Sequence, residues 1–409
     1  MRLLLLPAYF SPEKMSSSKL DDDRNLAIIE SGVKIDCFAP TPTRGISREV
    51  RKEYCKLKDE VLFDGCLNVH RYSMFTEGKN SVIRALRYFL CLIKQCYWGF
   101  KSKDADVLLL GSTPPINGLV GGFLKYWNKI PYIYTLNDVF PDSLSTLGYT
   151  PNSILWRFGS KIERYTYEHA DKIIVISEDI KNNIIAKGVP EKKIEVIYNW
   201  VDEKSVYPVD KVVNPLYAEF NICPENFNVV YAGNLGNAQN IQILIDAAEK
   251  LASYSNIEFF IFGTGGLESD IKQQIEMKEL KNIRVFPLQP FERVSYVYGL
   301  GDACVVSCKK GLGGSAMPSK SATIMATGRP LLVNFDKGEL EHIVKDSKCG
   351  LFSEAGNLAQ FVESILTFYN NREMCEEYGK NARNLILEKF TKDVNVQKYV
   401  DIIKSFEKL

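Results

Sequence analysis

Three stretches of the second half hold residue types that can do chemistry. Gly311-Leu312-Gly313-Gly314-Ser315-Ala316-Met317-Pro318-Ser319-Lys320 is rich in glycine, follows the apolar run Ala303–Ser307 and opens a helix. Ser319 is placed to cap that helix, and Lys320 then falls in its first turn. A cation there opposes the helix dipole at a cost of about 0.3–1 kcal/mol, which an anion held at the same end offsets. The stretch therefore suits a phosphate group, or leaves Lys320 simply solvated. Tyr231-Ala232-Gly233-Asn234-Leu235-Gly236 also joins an apolar run to a helix. Its Gly233 and Gly236 either let the backbone approach a ligand or simply make a tight turn. Phe262-Gly263-Thr264-Gly265-Gly266 ends a further run but lacks the last spaced glycine of the dinucleotide fingerprint. A nucleotide contact and a plain turn both fit it. In the first half, Met15, Ser16, Ser17 and Ser18 lie in a polar loop after Leu3–Leu6. Asn137-Asp138-Val139-Phe140-Pro141-Asp142 follows Tyr132–Tyr134. Asp138 and Asp142 suit sugar hydroxyls, proton transfer or a helix cap.

These loops need strands to present them. Short apolar runs alternate with helical patterns along all 409 residues, the signature of stacked βαβ units. In the first half the runs are Leu3–Leu6, Val33–Phe38, Val107–Leu110, Tyr132–Tyr134, Lys172–Ile176 and Ile194–Ile197. In the second they are Asn228–Tyr231, Ile257–Phe262, Ile283–Phe286, Ala303–Ser307, Pro330–Val333 and Gly350–Phe352. Continuous apolar strands of this kind belong to parallel sheets covered on both faces. A linker is expected near Asn199–Asn226, where Pro208, Pro215 and Pro224 break any periodicity. The fold class is α/β, with two Rossmann-like domains. Ligands of such sheets bind outside the carboxyl ends of the strands, where the loops above fall.

Composition narrows the chemistry. Lys and Arg number 51 against 50 Asp and Glu, so charge gives no reason to expect a nucleic acid. Three His leave little material for a zinc centre or a Ser-His-Asp hydrolase. Ten dispersed Cys read as reduced core thiols. Met1–Leu6 begins like a leader, but Pro7 ends the run and no small-residue cleavage site follows, so it reads as a buried strand. No stretch approaches the roughly 18 apolar residues of a spanning helix. Lys79–Lys103 combines Lys79, Arg84, Arg87, Lys94, Lys101 and Lys103 with many aliphatic and aromatic residues and no acid. That pattern suits an interfacial helix on an anionic membrane surface, its basic side chains at headgroup level, or a core helix with a basic edge.

The order of segments resembles the GT-B glycosyltransferases, specifically glycosyltransferase family 4 and its bacterial surface-polysaccharide branch. The likeness runs through Pro7–Glu13, Asp138–Ser143, Ile176–Glu178, Lys187–Pro190, Ile197–Asp202, Tyr231–Gly236, Pro318–Lys320 and Ala326–Pro330. It implies two Rossmann-like domains facing each other across a cleft. Residues 1–200 would bind the acceptor and residues 201–388 the nucleotide-sugar, with residues 389–409 a helix packed back on the first domain. It implies a retaining transfer without a metal or cofactor, the nucleotide-sugar, a UDP-sugar first, being a substrate. The acceptor would be a lipid-linked saccharide on the cytoplasmic face of the membrane. Asp138 and Lys320 become the catalytic candidates. Gly233, Asn234, Gly236, Gly263, Gly265, Ser319, Lys320 and Glu339 become donor contacts, and Met15, Ser16, Ser17, Ser18 and Asp138 acceptor contacts. The chain departs from the family where it often carries a pair of Glu, since Ser315 and Thr323 stand there. Glu339 and Glu341 are the candidates to replace the ribose-binding member. The departure also fits a second reading, a catalytically weak GT-B protein that binds a nucleotide-sugar and supports a partner transferase.

Overall fold

The computed structural model describes residues 1–13, 18–76, 80–313 and 317–407. They form two compact units, Met1–Tyr198 with Asn395–Leu409, and Asn199–Val394. The chain thus leaves the first unit at the start of the expected linker. It returns within the helix Lys392–Lys404.

The first unit holds β1 (Arg2–Leu5), β2 (Lys34–Pro40), β3 (Asp59–Leu62), β4 (Leu67–Tyr72), β5 (Val107–Gly111), β6 (Tyr132–Leu136), β7 (Lys172–Val175) and β8 (Ile194–Val196). They form one sheet in the order β3-β4-β2-β1-β5-β6-β7-β8, parallel except for the β3–β4 pair. Central strands are buried on both faces, which is why Leu3, Leu4, Val107 and Leu108 follow one another without polar alternation. The β3–β4 hairpin is absent from the sequence expectation. Its strands are polar, and its turn uses three consecutive residues of positive φ, Phe63, Asp64 and Gly65.

The second unit holds β9 (Phe227–Asn234), β10 (Ile257–Thr264), β11 (Ile283–Phe286), β12 (Ala303–Ser307), β13 (Leu331–Phe335) and β14 (Gly350–Glu354). Their order, β11-β10-β9-β12-β13-β14, places the first strand beside the fourth. Chain direction across the sheet reverses there, and the crevice at the carboxyl ends of β9 and β12 is where such sheets bind ligands. The core beneath is built from Phe227, Val229, Phe259, Ile261, Ile365 and Phe368.

The helix Ser81–Lys101 corrects one expectation. Its inward positions are Arg87, Cys91 and Gln95, all with no exposed surface. Arg87 Nη2 donates to Ala8 O at 3.0 Å, Gln95 Nε2 donates to Leu6 O at 2.7 Å, and the Arg87 guanidinium lies 4.4 Å from the Tyr9 ring centre. The chain just past β1 carries carbonyls with no sheet partner, and the helix supplies the donors. Arg87 is therefore an anchor of the β1 loop and not part of a basic outer edge. Arg87→Gln is expected to cost about 2 kcal/mol, the value of a hydrogen bond to a charged group. Urea titration of this variant should show the loss, while the partly exposed Arg84→Gln stays close to wild type.

With Arg87 and Gln95 turned inward, the helix shows an apolar stripe to solvent beside the partly exposed Arg84 and Lys94. Leu86, Phe89 and Ile93 are 53%, 56% and 47% exposed, and Val82, Tyr97 and Phe100 extend the stripe. Tyr126 and Trp127, at the end of the neighbouring helix Gly118–Asn128, are exposed as well. Among the described residues no helix is long and apolar enough to cross a membrane.

Candidate functional site

Lys320 lies in the first turn of the helix Ser319–Ala326. Its side chain folds back over β9, with Nζ 3.6 Å from the centre of the Tyr231 ring. Among the described residues no carboxylate pairs with it, and burial pushes its amine down to about 7. The backbone at Gly233 leaves the amine room, because a Cβ there would stand 3.0 Å from Nζ. Gly233 also has φ +145°, a conformation other residues resist. Lys320, Gly233 and the end of β12 thus meet at the reversal point of the sheet.

The surrounding loops are tied to one another. Ser307 Oγ donates to Gln239 O at 2.6 Å, and Lys309 N donates to Ala238 O at 2.8 Å. Asp336, just past β13, accepts Gly311 N on Oδ1 at 3.0 Å and Gly313 N on Oδ2 at 2.9 Å. A single carboxylate therefore holds the glycine-rich loop against the end of the sheet. Sequence reading missed Asp336, since nothing in one sequence links it to Gly311 and Gly313.

Several sequence-derived assignments change in detail. Ser319 does not cap the helix. Pro318 occupies that position, accepting Ser321 N at 2.9 Å, and Ser319 is the first, exposed helical residue. Gly233 and Asn234 are still in strand, paired with Gly263 and Thr264 of β10. A Cβ on Gly263 would meet Gly233 O at 2.4 Å, and one on Gly265 would meet Leu235 O at 2.5 Å. These two glycines serve close backbone packing. Asn234 is exposed, and its Nδ2 donates to Gln239 Oε1 at 3.3 Å. Gly236 leads into the short turn Asn237–Gln239, and the α-helix begins only at Gln242. Its dipole is therefore not delivered directly at Gly236.

Glu339 is buried in the first turn of the helix Glu339–Asp346, whereas Glu341 pairs with Lys345 at 2.6 Å. Thr323 turns its hydroxyl onto Ser319 O at 3.1 Å within its own helix. Ser315 lies outside the described residues.

In the first unit the loops again gather at the carboxyl ends of strands. Met15, Ser16 and Ser17 lie outside the described residues. Ser18 opens the helix Ser18–Glu30, and its hydroxyl donates to Glu13 O at 2.9 Å. Glu13 itself is buried and accepts Phe10 N, Thr43 N and Arg44 N. That carboxylate fastens the β1 loop to the loop after β2. Asp138 is exposed just past β6 and caps nothing, because the short helix Asp142–Leu147 is preceded by Pro141. Asp142 is taken up by Lys187 at 2.8 Å and Asn183 at 3.0 Å, whereas Asp138 stays exposed.

A cavity of about 960 Å³ in the second unit lies elsewhere, at the amino ends of the strands. Two of its charged residues, Lys211 and Arg372, both pair with Asp302.

Comparisons with known proteins agree with this architecture. Residues 27–205 match the model of Glycosyltransferase Family 4, and residues 218–385 match that of Glycosyl transferases group 1. A Pseudomonas aeruginosa protein named as glycosyltransferase WbjE is 24% identical over 315 residues, covering 74% of this chain and 76% of that protein. An Escherichia coli protein named for colanic acid biosynthesis, the glycosyl transferase WcaI, is 28% identical over 174 residues, or 42% of each chain. The Anabaena protein HepE, solved in complex with UDP, superposes with a TM-score of 0.72 at 14% identity, covering 99% of this chain and 100% of that one. Two Rossmann-like units with their loops at the strand ends, matched in turn by both family models, make this chain a GT-B glycosyltransferase of family 4 type, related to enzymes of surface polysaccharide biosynthesis.

Proposed function

We propose that the chain transfers a sugar, with retention of anomeric configuration, from a UDP-sugar to a lipid-linked saccharide at the cytoplasmic face of an anionic membrane. The observation that carries the reading is the Lys320 amine, unpaired by any carboxylate among the described residues, at the reversal point of the second sheet. A diphosphate placed there meets one cation and the backbone of the Gly233–Gly236 segment. Binding of UDP by HepE, which shares the fold, supports a uridine nucleotide. Ser319, Asn234, Gly236 and the buried Glu339 surround the same strand ends and are assigned to the donor, Glu339 to its ribose. Gly263 and Gly265 contribute by shaping the backbone.

The bond between the anomeric carbon and the diphosphate oxygen breaks, and the acceptor hydroxyl oxygen bonds to that carbon on the same face. The acceptor's proton passes to the departing diphosphate. Catalysis is then positioning plus stabilisation of the leaving charge, which is Lys320's part. Asp138 is assigned to the acceptor, with the Met15–Ser18 segment. The outward apolar stripe of Ser81–Lys101, flanked by Arg84, Lys94, Lys101 and Lys103, is what an interfacial helix requires.

Mass spectrometry of products formed from a panel of UDP-sugars and a lipid-diphosphate saccharide tests the reading. One sugar added with retained configuration is the expected result. In the same assay Asp138→Asn should lower turnover about tenfold with donor affinity unchanged, as for a group engaged only during reaction. The second reading, a binding protein that supports a partner transferase, is favoured by one observation. Thr323, at a usual Glu position, spends its hydroxyl on its own helix. Donor binding without any product across the panel would select it.

A further inference from the structure

We propose that Tyr231 and Gly233 form the resting seat of the Lys320 side chain, which makes Tyr231 a positioning residue for the donor, and that donor binding takes up a proton at Lys320 Nζ. This rests on the donor-site reading above and goes beyond it.

The seat is a fixed object. Tyr231 has no exposed surface, and its hydroxyl donates to Asn234 O at 2.7 Å. The ring is thereby pinned to the end of β9, and its face carries the amine at 3.6 Å. Gly233 closes the other side, with Lys320 Cε 3.1 Å and Nζ 3.0 Å from where a Cβ would stand. One aromatic residue therefore connects the donor loop to the cation.

Among the described residues the seat also lacks a counter-charge. Among the described residues, no titratable or charged group on the elements packed against Ser319–Ala326 pairs with Nζ, and burial alone sets its titration. Tyr231 on β9 is held neutral by burial, which raises its phenol. Cys308 past β12 is pushed up to about 12 by burial. Asp336 past β13 is engaged with Gly311 and Gly313. On the helix Arg372–Leu385, Arg383 donates to Ala326 O at 2.7 Å, at the far end of the Lys320 helix. Glu388 and Lys389 follow on the exposed side of Ile386–Phe390. None of these is paired with Nζ among the described residues. An aromatic face stabilises an ammonium only partly. Burial holds the resting amine near 7, so above neutral pH most of it is uncharged. An entering diphosphate supplies two negative groups and restores the proton.

The sign follows from linkage. The nucleotide binds the protonated amine, so affinity is greatest below the resting value and falls about tenfold per pH unit above it. Calorimetric titration of the full chain with UDP, and with GDP and ADP as further probes, tests this. It is run at about pH 8 in two buffers of different ionisation enthalpy, where the nucleotides are fully ionised and linkage predicts nearly one proton taken up per UDP. Lys320→Arg, whose guanidinium stays charged, should bind with no uptake and a flat pH profile. Tyr231→Phe keeps the ring and should keep the uptake. Tyr231→Leu removes the aromatic face, releases the amine to solvent and should abolish it. Should that variant fail to fold, wild type and Lys320→Arg decide the matter. Binding of UDP without proton uptake overturns the seat and leaves the donor site standing. Binding of none of the three nucleotides at any pH overturns the donor site and the seat with it.

Discussion

Lys320→Ala is expected to weaken UDP binding about ten- to hundredfold, because a charge-assisted contact is worth about 1.5–3 kcal/mol. The loss should appear in turnover as well, since in the proposed donor site the same cation faces the diphosphate as charge develops on it. Folding is expected to move the other way. In the folded chain the amine is held near 7, below its ordinary value, so between about 7 and 10.5 the unfolded chain binds more protons. The wild type therefore carries a destabilisation that is full below that window and relieved as pH rises through it. Removing the amine lifts it, and the variant should melt no lower than wild type at neutral pH. Equilibrium dialysis with UDP, paired with thermal melts, separates the two effects. Unchanged binding by a correctly folded variant would return Lys320 to an ordinary helix residue.

Changing Leu86, Phe89 and Ile93 to Gln together is expected to weaken binding to anionic vesicles about a hundredfold. Each is close to half exposed in the free protein. Sinking the exposed part of one such side chain into lipid gains about 1 kcal/mol, and three give about 3 kcal/mol. The polar replacements face solvent, so the fold should be unaffected, in contrast to Arg87→Gln on the opposite face of the same helix. Salt provides a second axis. Lys101 and Lys103 are exposed, and each basic residue near anionic lipid adds about 1 kcal/mol. That part is screened within a Debye length of about 8 Å at physiological salt, while the apolar part is not. Wild type should retain part of its vesicle binding at high salt, and the triple variant almost none. Equal sedimentation of both proteins with vesicles would sink the docking role and leave the stripe without a partner.

The strands were legible because a sheet buried on both faces needs unbroken apolar runs, and such runs are local. Ile283–Phe286 and Ala303–Ser307 coincide with β11 and β12, and every other expected run lies within two or three residues of a strand. The order of loops was legible for the same reason, and with it the resemblance to family 4. What the chain does at a distance was not. The β3–β4 hairpin depends on three left-handed turn residues and pairing to β2, neither of which leaves a periodic trace. Lys79–Lys103 disclosed its composition but not its orientation. Arg87 and Gln95 turn inward because carbonyls of Leu6 and Ala8, some eighty to ninety positions away in the chain, need donors. That inward turn leaves the apolar side chains Leu86, Phe89 and Ile93 on the solvent face. In the second unit, the sequence put Lys320 at a helix start. Only the tertiary structure laid it on Tyr231 and fixed the glycine-rich loop to Asp336. The physical reason is the same in each case. Burial periodicity is encoded by neighbours, whereas a buried polar group is satisfied by whichever strand end the fold brings beside it.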